Sequence, residues 1–82
     1  MIKGLVVSHI VSTKKQTSLV GSKFMEVRIV ENDAPTDKYL VAVDSVGAGI
    51  GEVVLVTLGS SARLALSDTN SPVDAVIVGI VD

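Results

Sequence analysis

Apolar residues in this chain fall into short blocks, separated by polar stretches that carry glycine, proline, asparagine or aspartate. The clearest block is KFMEVRIVE, Lys23 to Glu31, where Met25, Val27 and Ile29 share one face and Glu26 and Arg28 the other. That period of two predicts a half-buried strand. IKGLVVSHIVS, Ile2 to Ser12, carries large aliphatics on both faces and predicts a strand buried on both sides. KYLVAVD (Lys38 to Asp44), EVVLVTL (Glu52 to Leu58, an unbroken aliphatic run also predicted to be buried on both faces) and VDAVIVGIVD (Val73 to Asp82) predict three more strands. Between them, the Ser12 to Lys23 segment is a predicted loop, NDAPTD (Asn32 to Asp37) a turn and SDTNSP (Ser67 to Pro72) a turn or loop. GSSARLAL, Gly59 to Leu66, differs. Ala62, Arg63, Leu64 and Ala65 all tolerate a helix, and the Ser60 hydroxyl is suited to cap one that starts at Ser61.

Five strands and one short helix in 82 residues predict a single mainly β domain over residues 1–82, a small closed five-stranded OB-like β-barrel. Closure removes strand edges that would otherwise aggregate. Gly4, Gly51 and Gly79 are candidates for relieving tight bends. The residues are 48% hydrophobic, yet Phe24 and Tyr39 are the only aromatics, and valine is the commonest residue. A chain this small buries only about 60% of the surface that its unfolded form exposes. Its aliphatic surplus therefore predicts contact with another subunit.

Charge and composition narrow the function classes. With no cysteine, disulfides and thiolate metal sites are excluded. A net charge of −2 argues against nucleic acid as partner. No apolar run reaches the ~20 residues of a helical membrane span, and the N-terminus lacks a signal-peptide pattern, so the expectation is a cytoplasmic protein without membrane contact.

The stretch with most apparent chemistry is DSVGAGIGE, Asp44 to Glu52, because glycine-rich loops often cradle phosphates. A P-loop needs a lysine after its last glycine, and none follows here. A dinucleotide loop needs different spacing and a following helix, whereas a strand follows here. The glycines are therefore read as a structural turn. His9 is the only histidine and lies among aliphatics, Ser60 and Ser61 have no local base, and the carboxylates lack metal-ligand spacing. No enzyme, cofactor or metal site is expected. The alternative reading is an OB-like barrel that binds single-stranded nucleic acid or another oligomer, using Phe24, Tyr39 and the basic residues Lys14, Lys15 and Lys23.

VAVDSVGAGIGEVVLVTLGSSAR, Val41 to Arg63, closely resembles the signature of the EutN/CcmL family, the vertex proteins of bacterial microcompartment shells. IVSTKK from Ile10 is similar to the family's V-V-S-T-x-K opening, SLVGSKFMEV to its S-L-x-G-x-K-L-L-x-V segment, and SPVDAVIVGIVD to its closing strand. The resemblance spans nearly the whole chain. It implies a β-barrel that assembles as a cyclic homopentamer and sits among hexameric microcompartment shell proteins, closing a cytoplasmic shell at its vertices. It also implies a narrow axial pore with Gly59, Ser60 and Ser61 at the rim. GSSAR and SPVD look more like relatives from catabolic microcompartments than from carboxysomes. Two departures stand out: Ser8 and His9 precede the opening segment where the family usually has glycine, and many relatives continue past GIVD, so a tail that braces a neighbour would be short or absent. Within this frame the predicted subunit boundary comprises Asp44, Val46, Gly47, Gly49, Gly51, Glu52 and Arg63. Arg63 is expected to pair with Asp44 or Glu52, within or between subunits, a contact that can fix register even at small net stabilisation.

Overall fold

The computed structural model of the protein describes residues 1–12, 15–19, 21–66 and 72–82. Five strands, β1 (Ile2–Ile10), β2 (Phe24–Glu31), β3 (Ala34–Asp44), β4 (Val53–Leu58) and β5 (Ala75–Ile80), pair in the order β1-β2-β3-β5-β4. β4 pairs back onto β1, so the barrel closes as the pattern predicts. Every seam is antiparallel except β3–β5, where only Val43↔Val76 and Asp44↔Ile77 pair, in parallel. Ser45 extends that short seam, its Oγ donating to the Ile77 carbonyl at 2.6 Å. The turn predicted at 67–72 lies almost wholly outside the described residues, as does Lys14. A 3-10 turn at Thr17–Leu19 interrupts the loop predicted after β1.

The β2–β3 connection is tighter than its Asn, Asp and Pro content suggests. Asn32 and Asp33 take φ of 51° and 60°, which short polar side chains tolerate, and this makes a two-residue hairpin turn. Ala34 to Asp37 therefore belong to β3, paired from Glu31↔Ala34 and Val30↔Pro35 onward. Proline is tolerated because the other side of β3 pairs with β5 only at its far end. Side chains brace this hairpin. Arg28 donates from Nε to the Thr36 carbonyl, lies 3.5 Å from Asp37 and covers the Tyr39 ring at 5.6 Å. Lys3 Nζ meets Asp33 at 2.7 Å, and Lys38 meets Glu31 at 3.6 Å. The hydrogen bond from Lys3, then its charge, hold the Asp33 carboxyl below the usual carboxylate range. The pair thus favours the folded chain above that range and loses its effect as pH falls through the lowered value. Both groups are exposed, so the contribution is small and salt-sensitive.

Two apolar clusters share the strands. The barrel interior holds Val6, Met25, Val27, Ala42, Ala48, Val54, Val56, Ala75 and Ile77. A second cluster forms outside β5, where Val43, Val73 and Val76 pack with Ala62 of the short helix α1 (Ser60–Leu64), alongside Leu19 and Phe24. Adjacent residues Val76 and Ile77 are both fully buried, so β5 does bury two faces, and α1 of the same chain covers the second. β1 and β4 depart from the expectation of burial on both sides. Gly4, Val6, Val54 and Val56 are buried, whereas Leu5, Val7, Val53 and Leu55 on the outward faces are only half-buried. A single barrel has one interior, and nothing among the described residues finishes covering the other side.

Gly4 is needed for space rather than for a bend. A Cβ there would stand 2.1 Å from Val27 Cγ1 and 3.3 Å from the Arg28 carbonyl oxygen. Gly79 faces Leu55 at ordinary contact distance, so a Cβ there would fit. Overpacking of the kind at Gly4 costs roughly 1–3 kcal/mol. Gly4→Ala should lower the unfolding free energy by that amount in denaturant titration, and combining it with Val27→Ala should cost less than the sum of the two single changes. A Gly4→Ala protein that unfolds like the parent would show that the strands have room to part.

Candidate functional site

The loop between β3 and β4 is built around two of its own carboxylates. Asp44 Oδ1 accepts from the N–H groups of Val46 (3.0 Å) and Gly47 (3.1 Å), and Oδ2 from that of Ala48 (2.9 Å). Glu52 Oε1 accepts from the Gly49 N–H at 2.6 Å. The loop is also stitched to β1: Gly51 N–H donates to the Val6 carbonyl at 2.8 Å, and Val6 N–H to the Glu52 carbonyl at 3.0 Å. These bonds continue the β1–β4 ladder at the place where β1 slips register against β2, between Val6 and Ser8. Ala48 is turned inward as part of the barrel core.

The glycines do two jobs in this loop. Gly47 and Gly51 have φ of 81° and 91°, a region that side chains with a Cβ rarely enter. A Cβ at either position would meet nothing, so within the chain their role is conformation and not close approach. At Gly49 a Cβ would stand 3.2 Å from Glu52 Oε1 and crowd the hydrogen bond that closes the loop. A phosphate loop directs its amides at a ligand. Here the amides of Val46, Gly47, Ala48, Gly49 and Gly51 are already bonded to groups of the chain itself. Two of the side chains the loop exposes are apolar. Val46 and Ile50 are 41% and 59% exposed. Val46 is one of the residues singled out from the sequence, and Ile50 stands between Gly49 and Gly51.

Gly59, Ser60 and Ser61 lie together and exposed where β4 passes into α1. The helix starts at Ser60 and not at Ser61. Its cap is Gly59, with φ 66°, and no side chain caps it, so the proposed role of the Ser60 hydroxyl is not realised. Backbone geometry does the work instead: Gly59 N–H donates to the Asp74 carbonyl at 2.8 Å and ties the start of α1 to β5's approach. Glu52 and Gly59 flank β4, so the loop's end and the helix start are separated by the strand's length, roughly 20 Å at about 3.3 Å per residue. Arg63 is half-buried on α1. Among the described residues it makes no ion pair with Asp44 or Glu52, whose carboxylates cap their own loop.

The two aromatics do not form a common platform. Phe24 packs at the edge of the second cluster, with Lys15 Nζ 5.9 Å from its ring centre, and Tyr39 lies under Arg28. Among the described residues no three His, Asp or Glu side chains converge as metal ligands would. No described helix is long and apolar enough to cross a membrane.

The family model for "Ethanolamine utilisation protein EutN/carboxysome" matches residues 1–82. The chain belongs to the EutN/CcmL family. It is 50% identical to the bacterial microcompartment shell vertex protein PduN of Salmonella typhimurium, over 94% of this chain and 90% of that protein. It is 44% identical to the carboxysome shell vertex protein CcmL of Gloeobacter violaceus, over 96% of this chain and 80% of that protein. The structure of Gloeobacter CcmL superposes with a TM-score of 0.95, covering 100% of this chain and 86% of that one. The structure of GrpN from Rhodospirillum rubrum, a pentameric microcompartment shell protein, superposes with a TM-score of 0.91 at 44% identity, covering 100% and 94%. The barrel described above is thus the EutN/CcmL barrel.

Asp44→Ala should release three loop amides at once. Bonds to a charged acceptor contribute roughly 1.5–3 kcal/mol each when buried, and this half-exposed site should lose about 2 kcal/mol in total. Amide hydrogen exchange should quicken at Val46, Gly47 and Ala48, and less so in Asp44→Asn. Unchanged exchange in Asp44→Ala would refute the bracing role.

Proposed function

We propose that this protein is a homopentameric vertex protein of a bacterial microcompartment shell in the cytoplasm. The observation that carries the proposal is the aliphatic outer surface of β1 and β4, left half-covered by a chain whose single interior is already filled. A cyclic, head-to-tail interface is the economical way to cover it. Support comes from membership of a family in which GrpN is a pentameric shell protein and PduN and CcmL are shell vertex proteins. The mechanism is geometric. A five-fold unit set among hexameric tiles has one neighbour too few for a flat sheet, so the sheet curves and closes. Nothing in this role requires a catalytic group or a cofactor.

In this reading Asp44, Val46, Gly47, Gly49, Gly51 and Glu52 lie at the subunit boundary, and Ile50 joins them. Val46 and Ile50 supply apolar contact, while the two carboxylates hold the loop in shape before assembly, which lowers the ordering cost of association. Arg63, without a carboxylate partner among the described residues of its own chain, pairs across the boundary with Asp44 or Glu52 of the neighbour. Gly59, Ser60 and Ser61 form the rim of a narrow axial pore. The GSSAR and SPVD segments favour a catabolic shell over a carboxysome.

Co-expression with hexameric shell tiles tests the role. Particles should close as polyhedra when this protein is present and form tubes or open sheets when it is omitted, as seen by electron microscopy. Closed particles in its absence would overturn the proposal. Arg63→Glu should shift the assembled species to smaller mass by light scattering, and an unchanged mass would remove Arg63 from the interface.

A further inference from the structure

The positive charge of this chain is unevenly compensated. Lys3, Arg28 and Lys38, around the β2–β3 hairpin, each have a carboxylate partner in Asp33, Asp37 and Glu31. At the other end of β1 a depression of about 280 Å³ opens between the end of that strand and the start of β2. His9, Lys15 and Lys23 surround it, Ile10 and Phe24 line it, Ser22 adds a hydroxyl, and among the described residues no aspartate or glutamate borders it. Nearby carboxylates are turned elsewhere. Asp44, whose N–H bonds the Lys23 carbonyl, directs its oxygens to the loop amides, and Glu26 accepts from Ser8 Oγ at 3.3 Å. Lys15 is held in place, donating from Nζ to the Ser12 carbonyl at 3.0 Å while its ammonium lies over Phe24. One N–H of three is spent on that bond, and two remain for a ligand.

We propose that this depression binds a small, doubly charged oxyanion, a phosphate or dicarboxylate group, between Lys15 and Lys23. Two ammonium groups match two negative charges, and His9 and Ser22 add donors at the edge. The volume is several times a water's share of about 30 Å³, enough for an oxyanion with a few waters. A nucleic-acid strand fits less well, because Lys15 covers the one aromatic ring among the lining residues. This site is distinct from the glycine loop and the helix start, and it does not depend on the vertex assignment.

The test is an amide chemical-shift titration of the assembled protein with inorganic phosphate and, separately, succinate, at ionic strength held constant with sodium chloride. Saturable shifts at His9, Lys15 and Lys23 with either anion are the expected result. Saturation with phosphate alone assigns the site to phosphate groups, and with succinate alone to dicarboxylates. Lys15→Gln combined with Lys23→Gln, both at exposed positions, should weaken binding about tenfold, the size expected for losing two exposed charge contacts. Shifts that never saturate, or that chloride reproduces at equal ionic strength, mean an adventitious ion only and overturn the proposal. So does a double variant that titrates like the parent, or tighter binding of a single-stranded oligonucleotide than of phosphate. The parent titration against chloride decides the matter even if the double variant fails to assemble.

Discussion

Where Gly4 of β1 meets Val27 of β2, there is no room for one more carbon atom. That contact marks how closely β1 and β2 pack. The five short strands close on an interior of valine, methionine, alanine and isoleucine. Once the interior is filled, every further aliphatic side chain must find cover elsewhere. β5 finds it under α1, through Val76, Val43 and Ala62. The outer faces of β1 and β4 do not find it within the chain. The pressure toward assembly thus follows from the size of the barrel and needs no special binding residue.

The glycine loop shows how a ligand-like motif becomes an architectural one. Its amides converge as a phosphate loop's do, but Asp44 and Glu52 already occupy the positions an anion would take. With its shape fixed internally and Ala48 anchored in the core, the loop can hold Val46 and Ile50 rigidly outward. Rigid apolar tips lose little entropy on docking. This is a physical reason for the segment to be so recognisable in the sequence while carrying no chemistry of its own.

Much of the fold was legible because strand period and aliphatic content point the same way. β2 could be read directly from Met25, Val27 and Ile29 against Glu26 and Arg28. The family could be read from Val41 to Arg63, where spacing and residue type are both specific. What could not be read depended on backbone angles or on three-dimensional neighbours. Asn32 and Asp33 form the whole hairpin turn because both accept positive φ, and the proline that follows looked like a turn residue from sequence alone. Gly59 caps α1 although Ser60 has the better capping side chain, since the chain enters the helix from a left-handed residue tied to Asp74. The role of Asp44 as a three-amide acceptor was hidden for the same reason: its sequence neighbours gave no sign of where the loop would turn. The half-covered state of β1 and β4 was likewise masked, because an apolar run looks the same whether a helix, a barrel or a second subunit covers it.

In the proposed assembly the uncovered aliphatic surface of β1 and β4 closes a ring of five. Native mass spectrometry of the purified protein measures this directly. One dominant species of five 8.5 kDa chains is the expected result. A stable monomer, or a closed ring of six, would contradict it.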